Sequence, residues 1–203
     1  MDVLAVVAAR EQDFMLLAGV PVLSRSVRLL LSVRGVRQVT VLVADEHRER
    51  AMRTCAELPV TVRADIAGLV GSVGMVMLHE GARALAPSVL AVAVVDAVRA
   101  GHRAAVPVLP LTDTVKHVDA SGRVCAAGDR SALRVVQSPV AFRADLMGGG
   151  ELLCGGDPTA LDVVRACALV DEPVHTVPGD PMAFPVCTAW DVELAEMLIA
   201  RAP

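Results

Sequence analysis

Aromatic residues are scarce in this chain of 203 residues, which has no tyrosine, one tryptophan and three phenylalanines. Proteins that bind single-stranded nucleic acid stack bases on aromatic side chains, so the composition argues against that class. A clustered basic face is not indicated either, because the formal net charge is -4 and the isoelectric point is about 5.7. We therefore expect no nucleic-acid partner.

Lysine is almost absent too: Lys116 is the only one, and the other 18 basic residues are arginine. It stands close behind an apolar run, AAVPVLPL at 104–111, and after the polar residues Thr112, Asp113 and Thr114. Small molecules bind at the carboxyl ends of strands in open α/β sheets. The pattern therefore predicts a small-molecule site around this segment.

Long hydrophobic runs are missing, although 54% of the residues are hydrophobic and the mean hydropathy is +0.55. No run reaches the roughly 18 residues of a membrane span, and we expect no membrane partner. The N-terminus has an early acidic residue, Asp2, and no basic region, so we expect a first strand of a cytoplasmic protein, not a signal peptide. Five cysteines without a C-x-x-C pair predict reduced, mostly buried thiols, and the histidine spacing predicts no metal site.

Short runs of valine, leucine and alanine alternate with helical patterns in the first half of the chain. The predicted strands lie at 3–9, 39–44, 59–63, 75–78, 104–111, 133–137 and 174–177. The predicted helices run from Ser24 to Gly35, then over 45–58, 87–100, 158–168 (with Asp157 as N-cap) and 191–200. This alternation predicts an α/β fold with a doubly wound, mostly parallel sheet, in a single domain over 1–203.

Polar and charged residues follow four of the predicted strands. These strand ends are Ala8-Ala9-Arg10, His79–Arg83, Asp113–Lys116 and Ser138. Arginine forks and a lysine beside carboxylates suit a phosphorylated small molecule, and carboxylates can hold hydroxyls or Mg²⁺. Each position has a structural alternative: Asp113-Thr114 as a turn cap, Arg83 as a solvated helix-start residue, and His79 as a hydrogen-bonded structural histidine.

Five segments, in the same order and at similar spacing, resemble the 2-C-methyl-D-erythritol 4-phosphate cytidylyltransferase family. They are GVPVLSRSV (19–27), LHEGARAL (78–85), AAVPVLPLTDTVK (104–116), DRSALRVVQSPVAF (129–142) and GDPMAFPVCTAWDVELAE (179–196). The resemblance covers about residues 3–200. It implies a Rossmann-like three-layer domain with a protruding β-arm at 116–133, and a homodimer formed through that arm. It also implies Mg²⁺ as cofactor and in-line attack of a sugar-alcohol phosphate on the α-phosphate of CTP.

The resemblance also implies roles for particular residues. The implied nucleotide-binding residues are Ala8, Ala9, Ser72 and Gly81, and Arg10 stands in for a catalytic loop arginine. The implied substrate-binding residues are Glu80 (for the usual Asp), Arg83, Asp113, Thr114, Arg130 and Ser138 (for the usual Thr). No residue is assigned as a protein ligand to a metal.

The nucleotide side departs from the family pattern. The glycine-rich loop after the first strand is reduced to AAREQDFMLLAG, Gln12 stands where a lysine belongs, and Pro185 replaces a second lysine. Two hypotheses follow: a cytidylyltransferase with weak or altered activity, and a catalytically inactive paralogue that binds a phosphorylated ligand as a regulatory or scaffold protein. A nucleotidyltransferase with another nucleotide or acceptor is a third.

Overall fold

The computed structural model describes residues 2–125, 129–147 and 158–201. Its strands are β1 Val3–Ala8, β2 Leu16–Leu17, β3 Val20–Pro21, β4 Val39–Leu42, β5 Val60–Arg63, β6 Met75–Glu80, β7 Ala104–Pro110, β8 Arg134–Val136, β9 Val140–Arg143 and β10 His175–Pro178. Its α-helices are α1 Val22–Leu31, α2 Arg48–Thr54, α3 Ala67–Val70, α4 Ser88–Arg99, α5 Ala160–Leu169 and α6 Ala189–Arg201.

The main sheet has eight strands in the order β10-β7-β9-β6-β1-β4-β5, with β8 pairing on β7. Strand β1 runs parallel to both of its neighbours, β4 and β6, and β10 runs parallel to β7. Strand β9 lies antiparallel between β6 and β7. The mostly parallel α/β sheet expected from the sequence is confirmed.

Helices cover both faces of this sheet. Successive side chains of the central strand point to opposite faces, and each set packs in its own cluster. In β1, Ala5 and Val7 pack in a cluster with residues of α1 and α4. Val6 and Ala8 pack on the other face with residues of α5. Burial on both faces explains why β1 is an unbroken apolar run. None of the described helices is long and apolar enough to cross a membrane.

Several details differ from the sequence-based expectations. Helix α3 was not predicted, and α1 and α2 end earlier than predicted, at Leu31 and Thr54. Strand β9 and the small β2–β3 hairpin were not predicted. Helix α5 begins at Ala160, where Thr159 and Asp162 form a capping box, so the predicted start at Pro158 was wrong; Asp157 lies outside the described residues. Of the four described cysteines, Cys55 and Cys167 are buried, whereas Cys125 and Cys187 are exposed.

The β-arm leaves the sheet after β7 as an exposed segment. Its hairpin has one bridge, between Val118 and Val124, closed by a turn at Asp119. The Asp119 Oδ1 atom accepts hydrogen bonds from Ser121 N at 2.9 Å and Ser121 Oγ at 2.6 Å. These bonds, and those from Arg123, lower the pKa of Asp119 to about 2. The turn is thus held by local hydrogen bonds, and Val118 and Val124 on either side of it are exposed.

Candidate functional site

The chain reverses its direction of travel across the sheet at β1. It moves from β1 to β4 and β5 on one side, and then returns to β6 on the other side. Such a switch point leaves a crevice outside the carboxyl ends of the two strands, which is where open α/β sheets bind ligands. Here the crevice lies between Ala8, at the end of β1, and Glu80, at the end of β6.

The segment after β1 is a single turn of 3-10 helix, Glu11–Phe14. The two amides before this turn, of Ala9 and Arg10, donate to acceptors within the protein. Ala9 N donates to Leu42 O at 2.8 Å, and Arg10 N donates to Asp13 Oδ2 at 2.9 Å. A glycine-rich phosphate loop works by pointing successive amides at the ligand. The amides of Ala9 and Arg10 are therefore not directed at a ligand in this way.

Asp13 fills the crevice beside Gly81. The Asp13 side chain is 1% exposed, and a Cβ atom added to Gly81 would overlap its Oδ2 atom and lie 3.0 Å from the Ala8 carbonyl oxygen. Gly81 N also donates to Ala8 O at 2.8 Å, and its carbonyl accepts from Ser26 Oγ at 2.7 Å. The Asp13 carboxylate therefore occupies space that a side chain at position 81 would fill.

The cavity that remains in the crevice measures about 50 Å³. Its lining consists of residues from the strand ends, the start of α5 and the segment before α6: Ala8, Arg10, Asp13, Glu80, Gly81, Ala82, Pro158, Pro185 and Cys187. Ligand sites for small molecules usually measure about 300–1,000 Å³. In this conformation the crevice has no room for a nucleoside triphosphate.

Glu80 and Arg83 form an ion pair next to this cavity. Arg83 Nε donates to Glu80 Oε2 at 2.9 Å, and the side chains are 12% and 20% exposed for Arg83 and Glu80. The second Glu80 oxygen, Oε1, accepts from Ala160 N at the start of α5, at 3.2 Å. Arg83 Nη1 donates to the Ala183 carbonyl at 2.6 Å. The pair therefore ties three segments together around the crevice.

His79 and Ser138 lie beneath the ion pair. The Ser138 hydroxyl is 3.0 Å from His79 Nδ1 and accepts from Glu80 N at 3.1 Å. Burial, followed by the Arg83 charge, lowers the pKa of His79 to about 3. His79 is thus neutral and hydrogen-bonded within the protein, as expected for the structural histidine that the sequence analysis gives as its alternative role.

Gln137 holds a second part of the site in place. Its side-chain amide donates to Asp180 O at 2.8 Å and accepts from Asp180 N at 3.0 Å. Gly179 leaves no space for a side chain: a Cβ atom there would overlap Gln137 Oε1 and lie 2.9 Å from the Val108 backbone. Asp180 then caps the turn Pro181–Ala183, whose last carbonyl binds Arg83. Gln137 thus positions the partner of Arg83.

The arm residues lie apart from this cluster within one chain. Asp113 and Thr114 are exposed, as is Lys116. Arg130 is exposed as well, and its Nη1 atom donates to the Thr112 carbonyl at 3.3 Å. Among the residues that the structure describes, no hydrogen bond joins Asp113 or Thr114 to the ion pair. The structure therefore brings Glu80, Arg83 and Ser138 together. Within a single chain, the other predicted substrate residues lie apart from them: Asp113, Thr114 and Arg130.

Ser72 lies at the opposite edge of the sheet. It precedes the first residue of β6 by three positions, whereas the crevice is at the last residue of that strand. Its hydroxyl donates to Leu69 O at 2.7 Å, within the turn that ends α3. The distance follows from the short connection before β6, which returns directly to the amino end of the strand. Ser72 is thus the predicted nucleotide residue that the structure separates most clearly from Ala8, Ala9 and Gly81.

The sequence reasoning missed Asp13, Gln137 and Cys187. The signal for Asp13 was the glycine at position 81, because a glycine where the family pattern has alanine indicates that another group needs the space. Burial raises the pKa of the Cys187 thiol, and the carboxylates of Asp13 and Asp191 raise it further. The guanidinium groups of Arg10 and Arg83 act in the opposite direction, so charges of both signs affect this thiol.

The donor set does not fit a Mg²⁺ ion held by the protein. Both oxygens of Glu80 already accept hydrogen bonds, from Arg83 and from the start of α5. Across 2–125, 129–147 and 158–201 no group of three or more histidine, cysteine, aspartate or glutamate residues could hold a metal ion. Mg²⁺ usually binds one or two carboxylates together with substrate phosphates. We therefore assign no step to a metal.

The sheet order, the crevice at the β1–β6 switch point and the protruding arm define a doubly wound α/β protein. Residues 6–201 match the family model of 2-C-methyl-D-erythritol 4-phosphate cytidylyltransferase (IspD). The chain therefore belongs to this family.

Two relatives of the same description illustrate the match. The protein from Nocardia farcinica is 39% identical over 200 residues, which cover 93% of this chain and 85% of the relative. The protein from Rhodococcus jostii is 36% identical, over 94% of this chain and 87% of the relative.

Solved structures share the fold. The cytidylyltransferase from Thermus thermophilus is 25% identical, with a TM-score of 0.74 over 98% of this chain and all of its own. The 4-diphosphocytidyl-2C-methyl-D-erythritol synthase from Anaerococcus prevotii has a TM-score of 0.82 at 18% identity, covering 98% of this chain and 96% of its own.

Proposed function

We propose that this chain binds a phosphorylated sugar alcohol of the kind its family uses, and that it transfers a cytidylyl group from CTP at least a thousandfold more slowly than intact relatives. The observation that carries the proposal is the filled crevice. Asp13 lies against Gly81, and only about 50 Å³ remains at the switch point. In this proposal the chain acts in isoprenoid biosynthesis as a regulatory or scaffold paralogue.

The magnitude follows from the missing cations. Cytidylyl transfer develops negative charge on the α-phosphate and needs positioned donors around it. Loss of one preorganised donor typically reduces the rate by about 10²–10³. Gln12 and Pro185 stand at two family lysine positions, and Lys116 is the only lysine of the chain. Although such losses do not simply add, two of them and a shortened loop support the thousandfold bound.

The acceptor side is better preserved. Asp113 and Thr114 are exposed just before the arm, and Arg130 is exposed on it, where a second subunit can be reached. Arg130 has its fork close to the backbone of Thr112. An arginine fork binds phosphate oxygens in two places. These residues support binding of a sugar-alcohol phosphate between subunits, with Ser138 and the Glu80–Arg83 pair holding the facing strand ends.

A homodimer through the arm is part of the proposal. Apolar side chains on and beside the arm are exposed without a partner in the described parts of the chain: Val115 43%, Val118 60%, Val124 68%, Leu133 45% and Val135 42%. Exposed apolar side chains of this density on a protruding element are typical of a contact surface. Sedimentation tests the dimer, and a monomer at micromolar concentration would contradict it. A cytoplasmic location remains a prediction.

A second candidate is a cytidylyltransferase with substantial activity. Arg10 favours it, because this residue lines the cavity together with Glu80. It falls at the first loop glycine of the family pattern, from where it would substitute for the loop arginine. In this reading a movement of Glu11–Phe14 would open the crevice to CTP and its Mg²⁺. Arg10 would then contact the triphosphate together with the amides near Ala8 and Ala9.

Calorimetry and turnover separate the two candidates. Methylerythritol phosphate should bind the wild-type protein, and Arg130→Ala should weaken binding at least tenfold because one charged fork is lost. Arg123→Ala is the matched control, since Arg123 lies on the same arm and pairs with Asp119. Pyrophosphate release from CTP, Mg²⁺ and methylerythritol phosphate at the rate of an intact relative would favour the second candidate.

A further inference from the structure

The switch-point crevice contains a negative charge that belongs to the chain itself. The Asp13 carboxylate is 1% exposed and lies directly on the backbone of Gly81. Its position is fixed from both sides, because Arg10 N donates to Oδ2 at 2.9 Å and Phe14 next to it is held under the Arg50 guanidinium, 4.5 Å from the ring centroid. The carboxylate is therefore built into the crevice.

The fit between Asp13 and Gly81 is specific to this pair. Any side chain at position 81 would overlap the carboxylate and press on the Ala8 carbonyl, at 3.0 Å. Gly81 does not have a positive φ, so backbone conformation does not demand glycine there. Space for Asp13 is thus the physical reason for glycine at this position.

The carboxylate also sets which ligands the crevice admits. A buried negative charge within a few ångströms of a phosphate group repels it, and little solvent is present to screen the two. Asp13 helps to raise the pKa of the Cys187 thiol, although burial is the larger cause and the charges of Arg10 and Arg83 act in the opposite direction. Neutral groups of a ligand are not repelled by this carboxylate.

We infer that Asp13, seated on Gly81, is a specificity-determining residue that closes the switch-point crevice to nucleoside triphosphates by occupying the space and by repelling their charge. The inference rests on the proposed function, since it explains why the nucleotide half is closed while the arm is retained. It goes beyond that proposal because it assigns the closure to one side chain, and not only to the shortened loop.

The test compares CTP binding to four full-length proteins in the presence of Mg²⁺, by calorimetry. Asp13→Asn removes the charge and keeps the shape, and Asp13→Ala removes both. Glu11→Gln is the matched control, because Glu11 is an exposed carboxylate on the same turn. We expect CTP to bind Asp13→Ala at least tenfold more tightly than wild type, because both the charge and the bulk are removed. Asp13→Asn, which keeps the bulk, should bind CTP with an affinity between those two, and Glu11→Gln should bind it as wild type does.

Thermal unfolding without ligand provides an independent readout. Gly81→Ala should lower the Tm of the wild-type protein by about 4–8 °C, because its Cβ collides with a packed carboxylate. In the Asp13→Ala background the same change should cost less than half as much. This cycle separates the packing of the pair from general damage to the strand end.

Two results would overturn the inference. One is CTP affinity that is equal in wild type, Asp13→Asn and Asp13→Ala. The other is an equal cost of Gly81→Ala with and without the Asp13 carboxylate. Neither result depends on turnover, so the inference can fail while the proposed loss of cytidylyl transfer stands. Conversely, rapid pyrophosphate release by the wild-type protein would refute the proposed function whatever the cycle shows.

Discussion

Mild acid should destabilise this protein through His79. The folded state holds His79 neutral down to a pKa of about 3, because burial and the Arg83 charge oppose protonation. An unfolded chain takes up the proton near pH 6.5. Since the unfolded state then binds more protons, the stability that His79 contributes is complete above pH 6.5 and is lost as the pH falls from there towards 3.

The size of the effect follows from the pKa difference. Each pH unit in this window costs about 1.4 kcal/mol for one proton. Between pH 7.5 and pH 5.0 the window covers about 1.5 units, so His79 should lower the free energy of unfolding by about 2 kcal/mol. Unfolded carboxylates titrate near pH 4 and remain mostly ionised at pH 5.0. The histidine effect is therefore separable from acid unfolding in general.

The assay is urea unfolding at the two pH values for the wild type and His79→Asn. Asparagine can accept the Ser138 hydroxyl near the place of Nδ1 but cannot take up a proton. The variant should be less stable at pH 7.5 and lose almost nothing further at pH 5.0. His117→Asn, an exposed change on the arm, should keep the wild-type pH dependence. Equal losses in wild type and His79→Asn would show that His79 is not held neutral.

Three further changes test the contacts around the crevice and the arm. Gln137→Ala should lower the free energy of unfolding, measured in urea, by about 2–4 kcal/mol, because both backbone groups of Asp180 lose a buried partner. No change would mean that the two hydrogen bonds between Gln137 and Asp180 are not formed. Glu80→Gln should cost about 1–3 kcal/mol by weakening the largely buried pair with Arg83, and an unchanged stability would show that the two do not pair. Val118→Asp should convert a dimer into a monomer in sedimentation with unchanged circular dichroism, whereas a persisting dimer would place the interface elsewhere.

Much of the sheet could be predicted because its parallel strands are buried on both faces and therefore appear as apolar runs. Strand β9 could not, since Val140–Arg143 has four residues and no adjacent hairpin turn. Its partners are β6 and β7, which lie far away in sequence. Pairing of this kind is decided by the assembled sheet, and local patterns carry little information about it.

The sequence predicted which residues of the candidate site lie at strand ends. It did not predict which of them contact each other. His79, Glu80 and Arg83 follow an apolar strand, so their location at the crevice edge was expected. That Glu80 would bind both Arg83 and the start of α5 depends on how α5 packs. The contact between Asp13 and Gly81 likewise depends on the path of the shortened loop after β1. The pattern of apolar and polar residues does not specify that path.

The most direct test of the account is pyrophosphate release by the wild-type protein with CTP, Mg²⁺ and methylerythritol phosphate, beside the relative from Nocardia farcinica under the same conditions. The filled crevice and the two missing lysines predict a rate at least a thousandfold below that of the relative. A rate within tenfold of the relative would contradict the account, because it would require a crevice that opens readily and a set of arginines that replaces both lysines.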